Sequence, residues 1–145
     1  LLADSGLPGM KVLEFAFDPN SLSDYLPHRI GENSICYAGT HDNNTLRGWI
    51  DEENPETLAF AREYLGIDDD ADLADAVLRA GMRSKAELFI AQMQDWLGLG
   101  VDARMNTPGT VGGNWAWRMT PGSETKALAD KMRRMAYIYG RSDKK

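Results

Sequence analysis

Apolar and polar positions change period several times along this chain, and each change marks an element. Gly6-Leu7-Pro8-Gly9 reads as a turn. Residues 10–17 follow with Val12, Phe15 and Phe17 and predict a short strand, stopped by Asp18-Pro19-Asn20. Residues 18–33 hold turn formers and Leu26-Pro27 and read as loop. Residues 34–39 are nearly all apolar, as expected of a strand covered on both faces. That run ends abruptly in Thr40-His41-Asp42-Asn43-Asn44-Thr45.

The spacing then turns helical. A short helix is expected over 46–50. Asn54-Pro55-Glu56 is a strong start for the next one, with Asn as cap, Pro in the first position and Glu at the positive end. Leu58, Ala61, Tyr64 and Leu65 keep its period and Gly66 ends it. A further helix is predicted over 72–79, with Leu73, Ala76, Val77 and Ala80 inward and Gly81 as its stop. Residues 88–93 read as a third strand. Residues 98–122, rich in Gly, Pro, Asn and Thr, read as a long loop. A last helix is expected over 124–139, with Leu128, Met132, Met135 and Ala136 on one face.

Strands separated by helices imply parallel pairing through crossover helices. Three strands are few for such a sheet, because parallel sheets need neighbours and cover on both faces. The pattern is therefore that of a piece of a larger parallel α/β domain. The start, Leu1-Leu2-Ala3-Asp4, has no Met and no basic leader, and reads as a cut inside a longer chain.

Composition narrows the classes. With 145 residues there is room for one domain. Hydrophobic residues at 43% and charged residues at 26% are ordinary globular usage, so disorder of the whole chain is not expected. One cysteine, Cys36, allows no internal disulfide and reads as a small buried hydrophobe, and two histidines do not make a metal centre. No apolar run is long enough for a membrane helix. A net charge of −6 disfavours nucleic acid as a partner. The charge is uneven: residues 51–75 hold ten acids and one base, Arg62, whereas residues 126–145 hold seven bases and two acids. Solvated faces account for this. Asp68-Asp69-Asp70-Ala71-Asp72 lacks the glycine and closing glutamate of a calcium loop.

In parallel α/β folds, functional groups gather beyond the carboxyl ends of the strands. Asp18 follows the first strand, His41-Asp42 the second, and Gln92-Met93-Gln94-Asp95 the third. His41-Asp42 is the best constellation. A carboxylate beside an imidazole, at the rim of an apolar strand, suits contact with polar hydroxyls and a developing positive charge. The same residues also suit a loop in which Asp42 merely caps the following helix. Arg104-Met105-Asn106-Thr107-Pro108-Gly109 and Asn114-Trp115-Ala116-Trp117-Arg118 form a second constellation. Aromatic faces with amides and guanidinium groups hold sugars. Against this, Trp115 and Trp117 also suit a role as core anchors of the loop, the preferred reading for Trp117. Tyr37 and Trp49 read as packing. No phosphate loop is present, since Gly109-Thr110-Val111-Gly112-Gly113 lacks the Lys and the flanking strand.

Taken in order, Gly9-Met10-Lys11-Val12-Leu13-Glu14-Phe15, Gly39-Thr40-His41-Asp42-Asn43-Asn44-Thr45 with Gly48-Trp49, Gln94-Asp95-Trp96-Leu97-Gly98-Leu99-Gly100, Arg104 through Thr110, and Asn114-Trp115-Ala116-Trp117-Arg118 resemble the carboxyl-terminal part of the 4-α-glucanotransferases. These are the amylomaltases, or disproportionating enzymes, of glycoside hydrolase family 77. The resemblance covers nearly the whole chain. It implies the α/β class, as the C-terminal part of a (β/α)8 TIM barrel, strands 6 to 8 with their helices. Residues 1–145 would be one partial catalytic domain with no second domain.

The resemblance also implies an activity: transfer of α-1,4-glucan segments between glucans with retention, without cofactor or metal. Asp42 would be the transition-state stabiliser, with His41 beside it on the same sugar. Asp18 and Asn114 are candidate glucan contacts. Asn43-Asn44 departs slightly from the family, which often has Asp at the second position. The nucleophile and the acid/base have no matching motif here, so the chain alone is expected to be inactive. Partners would be maltooligosaccharides, with no nucleic acid and no membrane, in the cytoplasm. Unpaired strand edges imply self-association, or cover from the chain's own loops and helices. The alternative is a standalone glucan-binding or structural module derived from the barrel.

Overall fold

The structure is a computed structural model and describes residues 6–143. Three strands, β1 (Gly9–Val12), β2 (Ser34–Tyr37) and β3 (Leu88–Ile90), form a parallel sheet in that order. Met10 pairs with Ile35 and Val12 with Tyr37, while Ile35 pairs with Leu88 and Tyr37 with Ile90. Between β2 and β3 lie α1 (Leu46–Glu52), α2 (Pro55–Leu65) and α3 (Leu73–Arg83); after β3 come α4 (Met93–Trp96) and α5 (Lys126–Ile138).

The helix starts obey local chemistry. The Thr45 side chain accepts from Gly48 N at the start of α1, Asn54 from Thr57 N at α2, and Thr125 from Leu128 N at α5. Gly66, at φ 72°, closes α2 in the left-handed conformation that a side chain disfavours. Two acids of the run after it are taken up by structure: Asp69 Oδ1 accepts from Ala71 N and Asp70 pairs with Arg62.

The predicted first strand is shorter than expected. After Val12 the chain curls into a 3-10 turn, Leu13–Phe15. Alternation would have sent Leu13, Phe15 and Phe17 to one face. The turn instead buries Leu13, Ala16 and Phe17 and leaves Phe15 outside. The third strand also ends early, at Ile90. Residues 93–96 become α4, in which Asp95 Oδ1 accepts from Leu46 N at 2.8 Å. A contact across 49 residues has overridden the local β preference. The loop 18–33 contains a 3-10 turn at Pro27–Arg29.

One sheet face is covered. Cys36 lies there within a core of Leu13, Phe17, Leu26, Ile30, Leu46, Trp49, Leu73 and Val77. Burial pushes its thiol up to about 11, so it behaves as an inert apolar group. The Phe17 ring meets Trp49 and Tyr64 at 6.1 and 5.9 Å. Helix α5 docks through Met135 and through Lys131, which pairs with Asp75 on α3 at 2.7 Å. Burial opposes ionisation of Asp75, but hydrogen bonds from Lys131 and Arg79 prevail and hold its carboxyl below the usual range. Beyond α5, Arg141 donates to the carbonyls of Met82, Ser84 and Ala86 at 2.7, 3.0 and 3.1 Å. The opposite sheet face is open and apolar, with Met10, Leu88 and Ile90 exposed.

Gly81 does not stop α3 but lies inside it, because the Phe89 ring of β3 occupies the place a Cβ would need. Two effects compete in Gly81→Ala. Helix propensity favours Ala by about 1 kcal/mol. Overpacking against an aromatic ring costs about 1–3 kcal/mol. We expect a net loss, read as a lower urea midpoint. A midpoint equal to or above that of the unaltered protein would contradict this packing.

Candidate active site

The carboxyl end of β2 is organised by its own polar side chains. Asn43 Oδ1 accepts from both Thr40 N and Thr40 Oγ1, at 2.9 and 2.8 Å, and Asn43 N donates back to Thr40 O at 3.0 Å. This tight turn lifts His41 and Asp42 out of the sheet edge, each about half exposed. Asn44 anchors the next step: its Oδ1 accepts from Thr45 N and its Nδ2 donates to Glu52 Oε2, both at 2.8 Å. An Asp at this position would lack that donor.

A second loop closes on the first. Asn106 Nδ2 donates to Asp42 Oδ1 at 2.7 Å, and His41 Nε2 stands 3.3 Å from the same oxygen. Asn106 N donates to His41 O at 3.1 Å. Arg104 donates through Nη2 to Asp42 O at 2.7 Å and through Nε to Asn106 O at 2.9 Å. Both contacts to the Asp42 carboxylate fall on Oδ1; among the described residues none reaches Oδ2. The Trp115 ring lies 4.9 Å from the His41 ring, tilted by 44°. A shallow cavity of about 280 Å³ opens alongside, lined by Met10, Tyr37, Thr40, His41, Ile90 and Gln92. It joins the open sheet face to the His41 loop. An anchored carboxylate with one free oxygen, next in the chain to a histidine that lines an apolar hollow, suits hydrogen bonds to hydroxyls and stabilisation of a positive charge.

Asp18 stands at the end of the β1 segment but faces a different hollow, of about 370 Å³, shared with Asn20, Asn54 and Glu56; its Oδ1 accepts from Asn20 N. The Asn114 amide is spent within its loop: Oδ1 accepts from Thr107 N at 2.9 Å and Nδ2 donates to Thr110 Oγ1 at 3.0 Å. It therefore shapes the loop that carries Asn106. Neither Trp115 nor Trp117 is a core anchor; Trp115 is exposed and Trp117 half-buried, because their loop runs over the surface. The sequence offers Arg104 and Asn106 as sugar-holding groups, whereas the structure spends them on fixing Asp42. Their signal was a donor pair opening a Gly- and Pro-rich loop.

Beneath the site lie two buried acids that the sequence barely announces. Glu14 is buried, with its carboxylate packed on Gly39 and Oε1 without a partner. Asp95 is buried too, and its Oδ2 also lacks a partner. Burial, reinforced by the nearby Asp95 charge and opposed by Arg104, pushes Glu14 up to about 9. Burial raises Asp95 to about 6, against the pull of the Leu46 and Gln92 backbone groups. The only sign in the sequence is an acid within an apolar run, Val12-Leu13-Glu14-Phe15-Ala16-Phe17.

Comparison with known proteins bears on what such a site does. A family model described as 4-alpha-glucanotransferase matches residues 1–125. The chain is 43% identical over 139 residues to the chloroplast and amyloplast 4-alpha-glucanotransferase of Arabidopsis thaliana, covering 94% of this chain and 24% of that one. It is 41% identical over 140 residues to the 4-alpha-glucanotransferase of Clostridium butyricum, covering 96% and 29%. The chain thus spans about a quarter of these relatives. Among solved structures, amylomaltase from Streptococcus agalactiae in complex with acarbose superposes with a TM-score of 0.91 at 38% identity, over 98% of this chain and 29% of that one. Amylomaltase from Corynebacterium glutamicum, at 18% identity and a TM-score of 0.61, shares the fold.

The buried acid has a pH consequence. Unfolded Glu14 loses its proton near 4.5, whereas folded Glu14 keeps it to about 9. Between these values the folded state binds the extra proton, so stability falls as pH rises. Glu14→Gln removes this slope. Its melting temperature should exceed that of the unaltered protein by about 3 °C or more at pH 8 and match it near pH 4. An identical pH slope in both proteins would contradict the assignment.

Proposed function

Since the chain belongs to the 4-alpha-glucanotransferase family, we propose that the polypeptide it forms part of transfers α-1,4-glucan segments from one glucan to another with retention of configuration. In this reading, β1, β2 and β3 are the sixth, seventh and eighth strands of a (β/α)8 barrel. The open face bearing Met10, Leu88 and Ile90 is the barrel interior, and this favours a barrel segment over a standalone module. The acarbose complex of the streptococcal amylomaltase supports an oligosaccharide as ligand.

A retaining transfer uses two carboxyl groups about 5–5.5 Å apart and passes through an oxocarbenium-like state. Asp42 belongs to neither partner of that pair. Its role is to hydrogen-bond the hydroxyls of the sugar being transferred and to stabilise the positive charge that develops on its ring. The observation that carries this reading is the half-satisfied carboxylate: Oδ1 is fixed by Asn106 beside His41, and Oδ2 is left for a ligand. Such preorganisation costs no reorientation at the moment of reaction. His41 offers its imidazole to a hydroxyl of the same sugar. Asp18 and Asn114 extend the glucan path, Asp18 from its own hollow and Asn114 through the loop it shapes. The nucleophile and the acid/base come from strands outside this chain.

In the intact enzyme, Asp42→Asn should lower kcat for maltotriose disproportionation by about 10² or more, the scale for losing one transition-state contact, with an unchanged melting temperature. Turnover near the unaltered rate would refute the role. The 145-residue chain alone should release no glucose from maltotriose, and sedimentation should show it self-associated through its open apolar face. Disproportionation by the chain alone, or a stable monomer, would count against the barrel reading.

A further inference from the structure

The chain's tryptophans divide by environment. Trp49 and Trp96 are buried in the core, at 7% and 9% exposure. Trp115 is 54% exposed, although its ring stands against His41 in the hydrogen-bonded cluster around Asp42. It is also the only non-glycine among the described residues with a positive φ, 61°. A bulky side chain there is a steric outlier, and persists only when its surroundings overdetermine it.

The surroundings do so. Gly112 and Gly113, at φ 86° and 75°, curl the chain immediately before it. Trp115 N donates to Met105 O at 2.7 Å, and Trp115 O accepts from Arg118 Nη1 at 3.0 Å. Asn114 ties the preceding residue to Thr107 and Thr110. Both sides of the peptide are therefore fixed in a conformation that tryptophan disfavours, and the result is an indole held against His41 with half its surface in water. A side chain kept only for packing would not need this arrangement, since Trp49 and Trp96 achieve burial without it.

We propose that the Trp115 indole is the aromatic platform for a pyranose ring bound next to His41 and Asp42, and so determines how tightly that site holds glucan. The inference rests on the sugar-transfer reading of the His41–Asp42 site. The chemistry fits a sugar: the C–H face of a pyranose is weakly positive and apolar, the indole face is electron-rich, and the ring hydroxyls remain at the edge for Asp42 and His41. Binding of this kind acts alike on bound substrate and transition state, so it appears in KM rather than in kcat.

The test uses the intact enzyme with maltotriose as donor and acceptor, and three variants. Trp115→Phe keeps a ring. Trp115→Leu keeps apolar bulk without one. Trp115→Gly removes the ring and the backbone strain together. We expect KM to rise about tenfold in the Leu and Gly variants with kcat within about threefold, KM within about threefold in the Phe variant, and a melting temperature for the Gly variant no lower than that of the unaltered enzyme. An unchanged KM in both Leu and Gly variants would overturn the platform. So would a fall in kcat at constant KM, which would leave Trp115 only a support for His41. So would a lowered melting temperature with KM unchanged, the mark of packing against another part of the polypeptide. Asp42→Asn, assayed in parallel, separates the two claims. Survival of its turnover sinks the site itself, whereas its collapse beside unchanged KM in the Trp115 variants sinks the platform alone.

Discussion

Two loops distant in sequence are tied together at Asp42, and the site exists because of that tie. Asn106 holds the carboxylate and Arg104 holds the carbonyl of the same residue, across 64 and 62 positions of chain. Arg104 also grips Asn106 O, so its rigid fork spans both loops at once. Neither loop could place these groups alone. The β2 turn lifts Asp42 into solvent, where a free carboxylate would sample many rotamers. The Gly- and Pro-rich loop carries the donors that remove this freedom. Preorganisation of this kind is the usual requirement for a group that must meet a developing charge.

The acids below the tie are part of the same design. Glu14 fills the space that Gly39 leaves by having no side chain, directly under the turn. Asp95 spends one oxygen on the first free backbone N–H of α1 and leaves the other buried and unpaired. Such groups cost stability, yet Glu14 lies within the field of Arg104, the cation that organises the site. Positions that break a folding rule this way are expected where function sets the sequence. The open sheet face follows the same logic on a larger scale. It is unfavourable for an isolated domain and natural for a wall of an enclosed barrel.

Much of the fold was legible because its signals are local. Asn54-Pro55 and Gly66 mark α2 at both ends, and the apolar run before Thr40 marks β2. The polar cluster at its end announced His41 and Asp42. What failed was decided by tertiary contact. The turn at Leu13–Phe15 depends on which face must bury Phe17, and α4 depends on a carboxylate reaching Leu46 N. Gly81 looked like a stop because its true reason, the Phe89 ring, lies on another element. Arg104, Asn106 and Trp115 carry side chains that suit a sugar, but their segment's composition says nothing of where they stand. Their roles come from what that loop folds onto, which no spacing encodes. Asn114 carried the right chemistry for a sugar, but spends it on the loop.

In the proposed reading the free oxygen of Asp42 meets the sugar being transferred. A crystal structure of the intact protein with a bound maltooligosaccharide or acarbose tests it most directly. Asp42 Oδ2 is expected within about 3 Å of a ring hydroxyl of the sugar at the reacting position, with Oδ1 still held by Asn106. A sugar occupying the barrel mouth with the Asp42 carboxylate out of hydrogen-bond reach of every hydroxyl would contradict it.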